Sequence, residues 1–184
     1  MNVIETERLL LEPLESSRLE DFVALTANPD TMRYWSPEGP FTREVAEQNF
    51  AASLIRLQEY DFGRRWLVAK ESGAGLGFTD TKYFGQSCED VSSDEIEIGW
   101  MLSPDAWGHG FATEAARAIR DEAFDRLKLE SIVAVHHPAN RASGRIMDKL
   151  GMTFERDVVT RSGWPFRLYR LTRDELDLAR INPA

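Results

Sequence analysis

The sequence predicts an α/β domain, and three observations lead to that prediction. Apolar and polar side chains alternate from Glu95 to Trp100, which is the period of a half-buried strand. Apolar residues then recur at helical spacing from Ala112 to Leu127, and a glycine-bearing loop over residues 103–110 joins the two patterns. The length of 184 residues, with 42% hydrophobic and 29% charged residues, predicts a single domain over residues 1–184 with a substantial core.

Strand and helix patterns follow one another along the rest of the chain. Besides the central strand, strands are predicted over residues 8–14, 65–71, 77–84, 131–137, 153–160 and 166–171. The second and third of these form a β-hairpin across the sequence SGAG. Besides the central helix, helices are predicted to begin after Ser17, after Thr42 as N-cap, at Asn140 as N-cap, and at Asp174.

Charge and composition exclude several classes of protein. A formal net charge of −9 argues against binding to a nucleic-acid backbone and suits a cationic partner such as an amine. No apolar run approaches the roughly 20 residues that span a bilayer, and the N-terminus has no secretory pattern, so we expect a cytoplasmic protein that does not bind membranes. The single cysteine, Cys88, lies in a polar stretch and is interpreted as an incidental thiol.

No metal site is expected. The adjacent His136 and His137 lie on a predicted strand, where neighbouring side chains point to opposite faces and cannot share one ion. The sequence also contains neither a His-Glu-x-x-His motif nor a pair of cysteines.

The loop before the central helix is suited to an anion. A helix start carries unpaired amides and the positive end of the helix dipole, and Gly108 and Gly110 allow the backbone to approach a ligand closely. The alternative is that the glycines only form a tight turn. Neither a P-loop nor a dinucleotide fingerprint fits, because the loop lacks Gly-Lys-Ser/Thr and Thr113 replaces the third glycine. A nicotinamide dinucleotide is therefore disfavoured.

Two segments, EIGWMLSPDAWGHGFATEA and NRASGRIMDKLGM, resemble the core of the GNAT superfamily of N-acetyltransferases. The branch they resemble is that of the ribosomal-protein N-terminal acetyltransferases, and the likeness extends to ETERLLLEPL and WLVAKESGAGLGF. The superfamily signature Q/R-x-x-G-x-G/A falls on residues 107–112, where Trp107 departs from Gln or Arg. The resemblance implies a mixed, mostly antiparallel, twisted sheet of about seven strands, flanked by helices and splayed at its central strand.

The resemblance also implies a set of site residues. Acetyl-CoA would be the cosubstrate, bound by the backbone of the central strand, the anion loop and the helix at Asn140. The cofactor-binding candidates are Met101, Leu102, Trp107, Gly108, His109, Gly110, Phe111, Ala112, Thr113, Asn140 and Ser143. Asn140 also has an ordinary interpretation as an N-cap alone.

Catalysis requires a base for the amine and a proton for the leaving thiolate. Glu97 is the first candidate base, with Glu95 on the same face as a weaker one; alternatively, both carboxylates face solvent. Many superfamily members use a tyrosine as proton donor, but this chain has Met147 at the matching place, so Ser143 or water would serve.

The predicted function is an acetyl-CoA-dependent N-acetyltransferase acting on a primary amine, either a protein N-terminus or a small amine. The alternatives are a non-catalytic acyl-CoA-binding module and, less favoured, a nucleotide-binding oxidoreductase. Trp35 and Phe41 either pack their loop onto the core or form a wall of the acceptor pocket, which Trp164 would border. A monomer or homodimer is expected. The motifs identify neither the acceptor amine nor the preferred acyl chain.

Overall fold

The computed structural model describes residues 1–84, 94–160 and 163–181, so Cys88 lies outside the described residues. The strands are β1 (Ile4–Glu5), β2 (Leu9–Pro13), β3 (Arg65–Ala69), β4 (Gly75–Tyr83), β5 (Ile96–Leu102), β6 (Ser131–His136), β7 (Thr153–Val159) and β8 (Pro165–Thr172). The helices are α1 (Leu19–Ala27), α2 (Pro29–Met32), α3 (Arg43–Glu59), α4 (Phe111–Asp121), α5 (Arg141–Lys149) and α6 (Arg173–Ile181).

The described strands form one sheet in the order β1-β2-β3-β4-β5-β6-β8-β7. Every neighbouring pair is antiparallel except β5 and β6, which run parallel. The prediction of a mixed, mostly antiparallel sheet is confirmed. The sheet has eight strands rather than about seven, because the N-terminal residues fold back across a tight turn and add β1 at the edge, where Ile4 pairs with Leu11.

The central strand is splayed away from β6. Strand β5 pairs with β4 from Gly77↔Leu102 to Tyr83↔Ile96, but it pairs with β6 only at Glu97↔Val133. Beyond that point the two parallel strands separate, and the expected splay is confirmed. The separation leaves one side of β5 without a neighbouring strand.

Each face of the sheet carries its own hydrophobic core. One core packs α4 and α5 on Ile98 and Leu102 of β5, and the other packs α1 and α3 on Met101. Since side chains alternate along a strand, even-numbered residues of β5 face α4 and odd-numbered residues face α1 and α3. Glu97 is therefore directed to the α1 and α3 face.

The starts of α3 and α5 and the long central helix agree with the sequence prediction, whereas the helix expected after Ser17 begins as a 3-10 turn over Ser16–Arg18 and has no side-chain cap. The Thr42 hydroxyl accepts from the Val45 amide at 3.3 Å and caps α3. The central helix continues beyond α4 as a turn of π-helix over Glu122–Arg126. None of the helices in the described part of the chain is both long and apolar enough to cross a membrane.

Candidate active site

A cleft of about 450 Å³ opens at the splay of β5 and β6. Residues from both faces of the sheet line it, so the cleft connects the α4 and α5 face with the α2 face through the gap between the strands. The lining on the first face includes Trp107, Ala112, Asn140, Ser143, Ile146 and Met147, and the lining on the second includes Asp30, Tyr34, Trp35, Lys82, Phe84, Glu97 and Phe166.

The backbone of β5 presents alternate residues to this gap. The Ser103 amide donates to the Leu76 carbonyl at 2.9 Å, so the odd-numbered residues of β5 direct their backbone groups to β4. A Cβ on Gly77 of β4 would lie 2.2 Å from the Met101 carbonyl oxygen, which agrees with that direction. Of the two predicted backbone donors, Leu102 thus faces the gap and Met101 does not. Trp100, which sequence reasoning missed, shares the orientation of Leu102.

Trp107 closes the end of the gap. Its indole Nε1–H donates to the Leu102 carbonyl oxygen at 2.8 Å, while half of the residue surface stays exposed. The indole ties the anion loop to the last residue of β5.

The loop between β5 and α4 has the conformation that an anion site requires. Gly108 and Gly110 have φ angles of 80° and 83°, in the left-handed region that favours glycine. Gly110 is the N-cap of α4 and, lacking a side chain, caps no amide. The amides of Phe111, Ala112 and Thr113 have no intrahelical acceptor and lie at the positive end of the helix dipole. No atom of the described residues lies within 4 Å of a Cβ built on Gly108, so that side of the loop is open to the extent that the structure describes the chain.

Arg8 holds this loop and was not among the predicted site residues. Its Nη1 donates to the His109 carbonyl at 2.9 Å, and its Nε donates to Glu114 Oε2 at 2.7 Å. Its guanidinium carbon also lies 4.7 Å from the centre of the Phe111 ring. Pattern analysis does not detect this contact, because Arg8 precedes the loop by about a hundred residues.

Helix α5 brings Asn140, Ser143 and Met147 to the cleft. Asn140 Oδ1 accepts from the Ser143 amide at 3.2 Å, so the predicted N-cap role is confirmed. Ser143 is partly exposed, whereas Met147 is buried beneath it and has no proton to donate. The pantetheine and proton-donor roles assigned to Asn140 and Ser143 remain predictions.

Glu97 is buried rather than solvent-facing, with 8% of its surface exposed. Burial raises the pKa of its carboxyl group, and the Lys82 ammonium, whose Nζ lies 3.2 Å from Oε2, partly opposes that rise. Glu95 differs, because it forms an ion pair with Arg170 and does not line the cleft. Glu95 remains the weaker candidate base, because its carboxylate is held in the ion pair with Arg170.

His136, considered only as a metal ligand from sequence, also lines the cleft. Its Nδ1 lies 2.9 Å from the His137 carbonyl oxygen, and because a carbonyl only accepts, this nitrogen carries the proton. Burial lowers the pKa of His136, which keeps the ring neutral. Gly144 of α5 makes room for the ring, because a Cβ there would lie 3.2 Å from Nε2.

Aromatic side chains surround the α2 end of the cleft. Trp35 packs edge-on against Phe78 at 5.9 Å and so contacts the core, and it also lines the cleft, where its role as a wall of the acceptor pocket stays a prediction. The His137 ring lies 5.5 Å from Tyr34 and 4.8 Å from Trp164. These contacts connect α2, the end of β6 and the turn between β7 and β8.

The protein-family model of the acetyltransferase (GNAT) domain matches residues 8–153 of the chain. The chain belongs to the GNAT family of acetyltransferases. It is 30% identical over 154 residues to the uncharacterized N-acetyltransferase YnaD of Bacillus subtilis, covering 83% of each chain. A GNAT-family acetyltransferase structure from Bacillus anthracis superposes with a TM-score of 0.77 at 27% identity, covering 94% of this chain and 99% of the other.

The GNAT fold is also shared with more distant proteins. The structure of RimL, a ribosomal L7/L12 alpha-N-protein acetyltransferase in complex with coenzyme A, superposes with a TM-score of 0.73 at 13% identity. That alignment covers 95% of this chain and 99% of RimL, and at this identity the likeness concerns the fold. Family membership makes this chain an acetyltransferase and argues against the nucleotide-binding oxidoreductase considered from sequence.

Proposed function

We propose that this GNAT protein transfers the acetyl group of acetyl-CoA to a primary amine, either a protein N-terminus or a small amine. The observation that carries the proposal is the cleft at the splay of β5 and β6, which begins at the glycine loop and ends at a buried carboxylate. A phosphate-bearing thioester fits the first end. An amine fits the second end, where the carboxylates of Glu97 and Asp30 can accept its protons, although each lies beside a cation, Lys82 and Arg33 respectively.

The substrate thioester is bound in three parts. The amides of residues 111–113 at the start of α4 receive the pyrophosphate. The pantetheine arm follows the unpaired edge of β5 towards Asn140 and Ser143. The Leu102 amide, which faces the gap, donates to the thioester carbonyl oxygen and stabilises the negative charge that develops there.

The acetyl transfer itself follows from these positions. The neutral amine nitrogen attacks the carbonyl carbon, the C–S bond breaks, and the CoA thiolate leaves. The amine proton passes to Glu97 through a chain of several water molecules in the cleft, because the Cα of Glu97 lies about 16 Å along the extended strand from that of Leu102. Ser143 or a water molecule returns a proton to the thiolate, because Met147 cannot.

The test is a thermal-shift titration with acetyl-CoA, CoA and NAD, followed by an assay of amine-dependent thiol release. We expect both CoA species, but not NAD, to raise the melting temperature, because a ligand that binds only the folded state stabilises it. Thiol release should then depend on an acceptor drawn from N-terminal peptides, polyamines and aminoglycosides. Binding without thiol release for every amine would favour the non-catalytic acyl-CoA module.

The catalytic part of the proposal is tested with Glu97→Gln. This variant should bind acetyl-CoA as the wild type does, while kcat/KM falls about a hundredfold, the lower range for loss of a general base. Glu95→Gln is the matched control, since Glu95 lies outside the cleft in an ion pair with Arg170. An unchanged rate for Glu97→Gln would remove Glu97 from the mechanism.

A further inference from the structure

The contacts that Arg8 makes at the start of α4 exceed those of an ordinary surface ion pair. Its side chain donates to the His109 carbonyl and to Glu114 Oε2, while its backbone amide donates to Glu114 Oε1 at 2.8 Å. The Thr6 hydroxyl donates to the same Oε1 at 2.6 Å. Residues 6–8 and 109–114, which are distant in sequence, are thereby joined by these four hydrogen bonds and by a contact of 2.7 Å between Arg8 Nη2 and Glu114 Oε2.

Glu114 is the anchor of this arrangement. Only 16% of its side chain is exposed, and burial alone would raise its pKa. The hydrogen bonds from Thr6 and Arg8 outweigh that effect, so the pKa of Glu114 lies below its ordinary value. The carboxylate is therefore charged at neutral pH and fully engaged by donors from the N-terminal segment.

The segment that Arg8 restrains would otherwise be costly to order. Residues 107–110 contain two glycines at positive φ, and glycine loses more conformational freedom on ordering than any other residue. Arg8 fixes this segment through the His109 carbonyl, at the point where the chain enters α4. A loop ordered before the ligand arrives binds it more tightly, because less conformational entropy is lost on binding.

We propose that Arg8, held by Glu114, is a positioning residue that preorganises the glycine loop for the pyrophosphate of acetyl-CoA. This inference rests on the proposed function, in which that loop binds the pyrophosphate. Arg8 acts through the backbone of His109 and through the start of α4. We name the set of Thr6, Arg8 and Glu114 the loop clamp.

A charge argument separates positioning from simple attraction. If Arg8 acted only as a positive charge near phosphate, Glu114→Gln would strengthen CoA binding, because it removes a negative charge from the vicinity. If the loop clamp positions the loop, the same substitution weakens binding, because the amide nitrogen of Gln cannot accept from the Arg8 guanidinium. The two accounts predict effects of opposite sign.

The experiment compares acetyl-CoA with S-acetylpantetheine, a thioester that ends before the pyrophosphate. For Arg8→Ala and Glu114→Gln we expect the KM for acetyl-CoA to rise about tenfold, with kcat within about twofold of wild type, as expected for loss of preorganised binding. The KM for S-acetylpantetheine should not change. Arg8→Lys keeps the charge but lacks the rigid fork whose separate nitrogens Nε and Nη1 contact Glu114 and His109, and it should behave like Arg8→Ala.

Arg18→Ala is the matched control, because Arg18 also bridges two carboxylates, those of Glu12 and Asp21, away from the cleft. A purely structural role for the loop clamp would impair both thioesters equally, and tighter CoA binding by Glu114→Gln would show that charge alone acts. Either result overturns the inference. Failure of the wild type to bind CoA would instead refute the proposed function, so the two failures are distinguishable.

Discussion

At the scale of single residues, the proposed base Glu97 and its neighbour Lys82 should set how the activity responds to pH. The two residues are register partners on β5 and β4, so their side chains emerge on the same face. Burial pushes the pKa of Glu97 up, and the Lys82 ammonium pulls it down. A base must be ionised to accept a proton, so activity should decline as the pH falls through this raised pKa.

Lys82→Met should move the acidic limb of the kcat/KM profile to higher pH. The substitution removes the positive charge that favours the ionised carboxylate, so the pKa of Glu97 rises further and the base is protonated over a wider range. The measurement is the pH dependence of kcat/KM for the wild type and the variant. Both are assayed with the same acceptor, so the titration of the acceptor amine affects the two profiles equally.

Arg43→Met is the control for this profile, because it also removes one positive charge, from exposed ion pairs with Glu20 and Glu47. Its acidic limb should coincide with that of the wild type. A Lys82→Met limb that stays in place, or moves to lower pH, would exclude Glu97 as the group that titrates.

At the scale of secondary-structure elements, the contact between β4 and β5 determines where the Leu102 amide lies. Gly77 has a φ of +135°, and a Cβ on it would lie 2.2 Å from the Met101 carbonyl oxygen and 2.8 Å from Leu102 Cα. No backbone atom tolerates such distances, so any side chain at this position must force the strands apart. The position of β5, which borders the cleft, therefore depends on the absence of a side chain at Gly77 of β4.

Gly77→Ala should therefore destabilise the protein by about 3 kcal/mol or more, since backbone strain and a steric clash act together. Gly73→Ala is its matched control in the same hairpin. Gly73 also has positive φ, +69°, but nothing lies within 4 Å of its Cβ, so it should cost only about 1 kcal/mol. Chemical denaturation measures both free energies of unfolding, and equal losses would contradict the steric account.

At the scale of the whole molecule, the net charge of −9 acts differently on the two substrates. A polycationic acceptor is attracted by the field of the protein, whereas acetyl-CoA, an anion, reaches its loop against that field. The amides at the start of α4 supply local attraction that the net charge opposes. The Michaelis constant for a polycationic acceptor should consequently rise with salt, whereas that for acetyl-CoA should not.

Raising the ionic strength from about 0.02 to about 0.2 M should increase the KM for a polyamine severalfold, because screening shortens the reach of the field to about 8 Å. The KM for acetyl-CoA should stay constant or fall. Initial rates at fixed pH, measured with a polyamine and with a monoamine that carries no other charged group, test the predicted salt dependence of the acceptor KM. Equal salt dependence for the two acceptors would show that net charge does not steer them.

Local patterns were sufficient for much of the fold. Alternation and helical spacing placed β5 and α4, and the positions of Thr42 and Asn140 identified two N-caps that the structure contains. The positive φ of Gly108 and Gly110 likewise agrees with a loop that needs glycine. Each of these features depends on interactions within a few residues of chain, and sequence patterns record such interactions directly.

The resemblance to GNAT proteins supplied what local patterns lack, namely the strand splay and a set of candidate ligand-binding residues. It did not reveal Arg8 as a partner of Glu114, or Lys82 as a partner of Glu97. It also did not show that the backbone amide of Leu102 faces the gap between β5 and β6, whereas that of Met101 faces β4. These facts concern which side chains and backbone groups meet after the strands have paired.

By itself, the sequence determined the class of domain, the glycine loop at the start of α4 and the helix caps, because propensity and period act over short stretches of chain. Only the tertiary structure decided that Glu97 is buried beside Lys82 and that Arg8 holds the loop from about a hundred residues away. Burial and ion pairing depend on the register between strands and on contacts between distant segments. Both come into existence only when the sheet assembles.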